Sequence, residues 1–336
     1  MKNKLLKKFL IIQTASIGDV ILATPVLEQL RFSFPDADID ILVKKGTEEL
    51  FREHPFLNKL IVWDKNRNKY LNLFKLLIRI RKNRYDLVIN IQRFFSTGFI
   101  TAFSRARNTT GFNKNPLSFF YTSRFRHSIG TCEPIHETER NLTLLQPFCK
   151  INKPVVKLYP NHEDYKTVKP LINQPFITIA SSSLWFTKQF PEGSWIEFIQ
   201  QLRNDITVYL LGSKSDRERN QRIALACSAN HNVIDLSGKL SLLESATLMK
   251  HAVMNYTNDS APMHLASAAN GPVTVVFCST VPAFGFGPLS EKSFVIETTE
   301  KLECRPCGLH GKKRCPEKHF KCATTISITQ LLSTLK

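Results

Sequence analysis

At 336 residues the chain exceeds the usual size of a single core, so two domains are expected, and its 43% apolar content excludes an intrinsically disordered protein. The net charge of +18 is unevenly placed: residues 1–165 hold 27 Lys+Arg against 15 Asp+Glu, and between Lys65 and Cys132 fourteen basic residues meet one acid, Asp86. Such a field favours an anionic partner, whether nucleic acid, phosphorylated lipid or a membrane surface.

The start, "MKNKLLKKFLIIQTAS", imitates a secretory leader, but its apolar core is only four residues before Gln13 and Asp19 follows soon after. No apolar run approaches the ~20 residues of a spanning helix. The expected location is therefore cytoplasmic, where thiols stay mostly reduced and the Asn-x-Thr triplets at Asn108 and Asn141 carry no glycan.

In chain order, the first half predicts strands at Phe9–Ile12, Ile39–Val43, Leu60–Trp63 and Leu87–Ile91, with helices at Val20–Phe32, Glu48–Glu53 and Tyr70–Lys82. The last is basic and amphipathic, with Tyr70, Phe74, Leu77 and Ile78 on an apolar face and Leu71 and Leu73 beside them. It reads as a sheet-covering helix with a basic outer face, or as a helix lying on an anionic membrane. A proline-bearing linker follows at Cys149–Asp164. The second half predicts strands at Phe176–Ala180, Ile206–Leu211, Val233–Asp235, Val253–Tyr256 and Val273–Phe277. Its helices fall at Trp195–Arg203, Asp216–Ala229, Leu242–Lys250 and Pro262–Ala269. This alternation gives the fold class α/β, two Rossmann-like halves with parallel sheets, whose ligands bind beyond the carboxyl ends of the strands.

The loops at those ends hold the candidate chemistry. "QTASIGDV" lacks a G-x-G-x-x-G fingerprint, which argues against a nicotinamide or flavin site. Asp19 in it is either a first-turn acid favoured by the helix dipole or a general base, with Gly18 letting an acceptor approach the backbone. "TNDSAPMHLA" offers Thr257, Asn258, Asp259 and Ser260 as caps, so free N–H groups at that helix start suit a diphosphate, with His264 one turn in. Lys188 in "SSSLWFTKQFPEGSW" is placed to neutralise a leaving phosphate, and Asp216 in "GSKSDRER" to touch a ribose or merely open a helix. "PDADID" has two overlapping Asp-x-Asp triplets, but it precedes a strand and reads as turn chemistry, not as a metal site. "CRPCGLHGKKRCPEKHFKC" spaces Cys304, Cys307, Cys315 and Cys322 as C-x2-C-x7-C-x6-C, which is not a standard finger. It reads as a structural zinc site or as a loop of thiols without metal.

"IIQTASIGDVILATPVLEQLRFSFPDADIDILV", "DLVINIQRFFSTGFITAFSRARNTTGF", "HETERNLTLL", "YTNDSAPMHLASAANGPVTVVFCST" and the Cys-rich tail together resemble blocks of the lipopolysaccharide heptosyltransferases, family 9 of the glycosyltransferases. The similarity spans nearly the whole chain. It implies a GT-B fold with two Rossmann-like domains facing across a central cleft. The acceptor domain would be residues 1–160, and the donor domain residues 161–336, with the Cys-rich segment at 304–322. It also implies inverting transfer of a heptose from ADP-heptose to the lipopolysaccharide inner core, with no metal or other cofactor in the chemistry.

In that pattern Asp19 matches the general base, Lys188 the lysine that steadies the diphosphate, and Asp259, Ser260 and His264 donor-loop positions; Asp216 is a loose match for the ribose contact. The family usually has Gly where this chain has Ala261. An anionic core acceptor gives the basic half a reason, with Gly18, Arg93, Arg105 and Arg107 as acceptor contacts and the protein peripheral to the inner face of the cytoplasmic membrane. The alternatives are a family 9 transferase using another nucleotide sugar or envelope acceptor and, more remotely, a polyanion-binding protein without activity. Specific nucleic-acid binding is not expected, because the pattern predicts no exposed aromatic platform.

Overall fold

A computed structural model describes residues 6–65, 69–130 and 134–335. The basic start of the leader-like segment and the last two residues of the basic stretch from Lys65 to Cys132 lie outside them. The chain divides into two compact units, Met1–Tyr159 and Pro160–Lys336.

The first unit runs β1 (Lys8–Ile12), α1 (Ile17–Ile21), α2 (Thr24–Ser33), β2 (Asp38–Lys44), β3 (Leu57–Trp63), α3 (Lys69–Asn83), β4 (Leu87–Asn90), α4 (Phe95–Ala102), β5 (Asn108–Phe112), β6 (Ser123–Phe125) and α5 (Glu137–Thr143). Its parallel sheet has the order β3-β2-β1-β4-β5-β6, with Ile11 opposite Ile41 on one side and Ile89 on the other. β1 is fully buried from Phe9 to Ile12, as a central parallel strand covered on both faces should be. Leu10, Ile12, Leu42, Ile61, Trp63, Val88 and Ile100 form the core of this unit with the inner face of α3.

The second unit runs α6 (His162–Val168), β7 (Phe176–Ala180), α7 (Glu192–Gln200), β8 (Thr207–Leu210), α8 (Arg217–Cys227), β9 (Val233–Asp235), α9 (Leu242–His251), β10 (Met254–Asn258), α10 (Ala261–Ala268), β11 (Val273–Phe277), β12 (Ser293–Glu297), α11 (Lys321–Thr324) and α12 (Ile328–Leu332). Its sheet order is β12-β11-β10-β7-β8-β9, again parallel. Counted from its own first strand this is the same 3-2-1-4-5-6 order as the first unit, the doubly wound arrangement. Trp195, Phe198, Ile199 and Tyr256 anchor its core.

Four differences from the sequence reading have physical causes. The helix expected over Val20–Phe32 is two helices, because Pro25 lacks the N–H to continue α1 and instead opens α2. Strands β5, β6 and β12 were not expected. Each is short, and β5 contains Gly111, where a Cβ would stand 2.9 Å from the Asn90 carbonyl and 2.6 Å from the Tyr121 ring. α6 begins inside the segment read as linker, held by a capping box between Asn161 and Asp164.

The fourth difference is the register of α3, which buries Leu73, Leu76, Leu77 and Ile80. Tyr70, Leu71, Phe74 and Ile78 face water. Phe94, Phe95, Phe103, Phe119 and Phe120 are exposed as well, where no exposed aromatic platform was expected. Among the described residues no helix is long and apolar enough to cross a membrane.

Candidate functional site

In each sheet the strand order reverses between the first and fourth strands, and the loops leaving those two strands diverge into a crevice that suits a ligand. In the first unit these are the loops after β1 and β4. They are joined by the Gln92 and Gln13 side-chain amides; Gln92 itself is held by its N–H donating to Asn90 Oδ1 at 2.9 Å and by Asn115 Nδ2, from beyond β5, donating to its carbonyl at 3.0 Å. Lys65 Nζ reaches in to the Thr14 carbonyl at 2.8 Å.

Asp19 is half-buried, at the third position of α1. Its Oδ2 accepts from the Ser16 backbone N–H at 3.1 Å and from the Ser16 hydroxyl, completing a capping box. Oδ1 receives no hydrogen bond from the described residues. The capping and catalytic readings of this acid are therefore compatible, since one oxygen fixes the side chain and leaves the other to accept a proton. Gly18 beside it is buried.

The supporting residues behind this helix were not singled out from sequence. Asn141 Nδ2 donates to the Leu22 carbonyl at the end of α1, at 3.1 Å. Its helix is fixed by Glu137, which accepts from Arg140 Nε at 2.7 Å and pairs with His127 at 3.1 Å. Burial pushes the Glu137 carboxyl up, but His127 and Arg140 outweigh it and hold it below the usual carboxylate range.

The three arginines proposed as acceptor contacts are not brought together. Arg93 lies just past the carboxyl end of β4, its guanidinium 5.5 Å from the Phe94 ring centre. Arg105 and Arg107 lie beyond α4, at the amino end of β5, in a pocket with Arg84, Tyr85 and Asp86. A full helix, α4, separates them from Arg93. Asp38 and Asp40 of "PDADID" sit at the amino end of β2, and the Asp40 carboxylate accepts from Tyr85 Oη at 2.5 Å and Asn58 Nδ2 at 2.8 Å.

In the second unit the loops after β7 and β10 meet. Lys188 Nζ stands 2.6 Å from Asp259 Oδ2, with 14% and 9% of the two side chains exposed, so the pair is largely out of water. Thr280 Oγ1 donates to the same carboxylate oxygen at 2.6 Å. Asn258 does not cap α10; its amide donates to the Ser181 carbonyl at 2.9 Å and accepts from the Phe190 N–H at 2.8 Å. Ser260 is the N-cap residue but its side chain makes no cap bond, Pro262 has no N–H, and Met263 N–H already donates to the Ser260 carbonyl at 3.1 Å. The helix start thus offers fewer free donors than the run of cap-type residues led us to expect. Ala261 is the first helical residue and is not among those with positive φ, so Ala fits there without strain. His264 is buried one turn in. Asp216 closes a 3-10 turn at Lys214–Asp216, accepting from Ser213 N–H at 2.8 Å.

The model of glycosyltransferase family 9 (heptosyltransferase) matches residues 73–320, well over half of the chain. The chain belongs to this family. It is 27% identical over 278 residues to lipopolysaccharide heptosyltransferase 3 of Escherichia coli, covering 78% of this chain and 81% of that protein. It is 26% identical over 323 residues to lipopolysaccharide heptosyltransferase 1 of Pseudomonas aeruginosa, covering 92% and 87%. The solved structure of E. coli ADP-heptose LPS heptosyltransferase II superposes with a TM-score of 0.79 at 20% identity, over 98% of this chain and 97% of that one. The protein is a glycosyltransferase of the GT-B fold.

In this family 9 member the Cys-rich segment is stitched to the loop carrying Lys188. Lys312 N–H donates to Thr187 Oγ1 at 2.8 Å, Thr187 N–H donates to the Lys312 carbonyl at 3.1 Å, and Ser279 Oγ donates to Thr187 Oγ1 at 3.0 Å. Arg305 donates to the carbonyls of Cys278 at 2.7 Å, Phe277 at 3.1 Å and Thr280 at 2.8 Å, and pairs with Glu297. Burial pushes the Cys322 thiol up to about 12, with the Cys307, Cys315 and Cys304 thiols adding to the rise. Among the described residues, however, no three Cys, His, Asp or Glu side chains converge on a point that could hold a metal ion.

Proposed function

We propose that the protein transfers a heptose from ADP-heptose to an anionic lipopolysaccharide inner-core acceptor with inversion at the anomeric carbon. The names of its relatives favour that donor and acceptor class. The observation that carries the mechanism is the Asp19 carboxylate, held through Oδ2 with Oδ1 left to accept a proton. Oδ1 takes the proton of the acceptor hydroxyl, and that oxygen forms its bond to the anomeric carbon. The bond from this carbon to the diphosphate breaks, and ADP leaves with the electron pair. The Lys188 ammonium neutralises the leaving diphosphate, with Asp259, Ser260 and His264 lining the donor side, Asp216 at the ribose, and Gly18 and Arg93 on the acceptor side. Charge neutralisation falls to Lys188, so the reading assigns no metal to the chemistry.

The test is ADP release by purified protein given ADP-heptose and a deeply truncated core acceptor, beside UDP- and GDP-sugars, with and without a chelator. Acceptor-dependent release from ADP-heptose alone, unchanged by the chelator, is the expected result. Turnover only with a UDP-sugar overturns the heptosyl donor and keeps the family.

A further inference from the structure

The outward face of α3 is apolar and basic at once. Tyr70, Leu71, Phe74 and Ile78 stand among Lys75, Arg79 and Lys82, and all seven are exposed. The apolar strip continues across the first unit. Phe74 meets Phe99 of α4 at 6.0 Å between ring centres, Phe99 meets Phe103 at 4.9 Å, and Phe103 meets Phe120 at 5.9 Å. Phe119 follows at 4.2 Å from Phe120, and Phe95 flanks Phe99 at 6.4 Å. This is a connected ridge of six rings, four of them at least half exposed, where a soluble surface usually scatters its apolar side chains singly.

The charge around the ridge has one sign. Lys59, Lys75, Arg79 and Lys82 line an open pocket beside Ile78, and Arg93 covers Phe94 at the other end. The one acid between Lys65 and Cys132, Asp86, accepts from the Lys7 and Lys8 backbone N–H groups at 2.9 and 3.1 Å and so is tied to the amino end of the central strand β1.

We propose that this ridge docks the protein on an anionic lipid bilayer. Aromatic rings settle at the headgroup level while Lys and Arg beside them meet lipid phosphates, and the two attractions reinforce each other. A second copy of the chain fits poorly, because a two-fold contact would set the same positive rim against itself. A single nucleic-acid strand also fits poorly. Of the five ring pairs along the ridge four are tilted, by 53°, 50°, 51° and 35°, and only Phe95–Phe99 is near-parallel at 19°, so the ridge offers no continuous run of parallel faces for successive bases. The proposal does not depend on which sugar is transferred.

Co-sedimentation of the full chain with phosphatidylcholine vesicles, with or without a quarter of phosphatidylglycerol, tests it at about 0.15 M salt. Binding to the anionic vesicles is expected to fall at least ~10-fold in the variant Phe74→Ser, Phe119→Ser, Phe120→Ser, with turnover on a soluble acceptor unchanged. The variant Lys75→Glu, Arg79→Glu, Lys82→Glu is expected to lose the preference for phosphatidylglycerol, and it alters no core residue. Equal binding by wild type and both variants overturns the proposal. So does a concentration-dependent dimer abolished by the serine variant, or tighter binding of a single-stranded oligonucleotide than of vesicles at the same salt.

Discussion

The Lys188 ammonium and the Asp259 carboxylate stand 2.6 Å apart on loops that follow neighbouring strands, β7 and β10. The lysine is thus engaged by an acid whose same oxygen also accepts from Thr280 Oγ1, at 2.6 Å. Aligning the lysine in this way is preorganisation, because its position is fixed by the fold and not by the arriving ligand.

Breaking that pair should separate folding from chemistry. Lys188→Met leaves a buried carboxylate without its cation and is expected to lower stability by roughly 3–5 kcal/mol. Adding Asp259→Asn removes the stranded charge and should restore most of it in urea melts. Turnover of the double variant should stay down by ~10² or more. Full recovery of turnover would remove Lys188 from the donor site.

Asp19→Asn keeps the shape of the capping acid and removes its basicity. The expected loss in kcat is ~10²–10⁴, with donor affinity measured by calorimetry little changed. A variant that turns over at the wild-type rate would leave Asp19 with only its cap.

Arg305→Leu strips a donor from three carbonyls, those of Phe277, Cys278 and Thr280, at the carboxyl end of β11. A stability loss of roughly 2–4 kcal/mol is expected from the unpaired acceptors. Because Thr280 holds Asp259, donor KM should rise as well, while Asp205→Ala on the exposed surface should change neither.

Acid stability should depend on His54. Burial, with Arg31 and Lys157 nearby, pushes its imidazole down to about 4, and its ring packs 4.5 Å from Phe56 and 4.7 Å from Tyr159. A folded pKa below the unfolded one means the unfolded chain binds more protons between about pH 4 and 6.5, so this contribution is present above pH 6.5 and is lost on acidification. His54→Gln should flatten the fall in Tm across that window by about 2–4 °C. An unchanged slope would show that carboxylates alone set it.

Much of the scaffold was legible because central parallel strands are continuous apolar runs. "FLII", "FITIA" and "VTVVF" announce β1, β7 and β11 without help from partners. β5 and β12 were hidden for the opposite reason: "NTTGF" is mostly polar, and "SFVIE" is an exposed edge. The loops holding Asp19, Lys188 and Asp259 could be found from strand ends. That Lys188 and Asp259 touch could not, since the contact depends on β7 and β10 being neighbours. The outward rings of α3 were misplaced by a helical register. Leu73, Leu76, Leu77 and Ile80 make as good a stripe as Tyr70, Phe74 and Ile78, and only packing against the sheet decides between them.

The repeated strand order has a consequence for how such a protein can change. Asp19 and Lys188 occupy the same topological address, the loop leaving the first strand of each sheet, and they carry opposite charges. On the proposed function, one scaffold used twice serves as a proton acceptor in one copy and an anion holder in the other by what is written into a single loop. Were those roles right, new acceptors and new donors could be explored separately, since each loop leaves a sheet and core of its own.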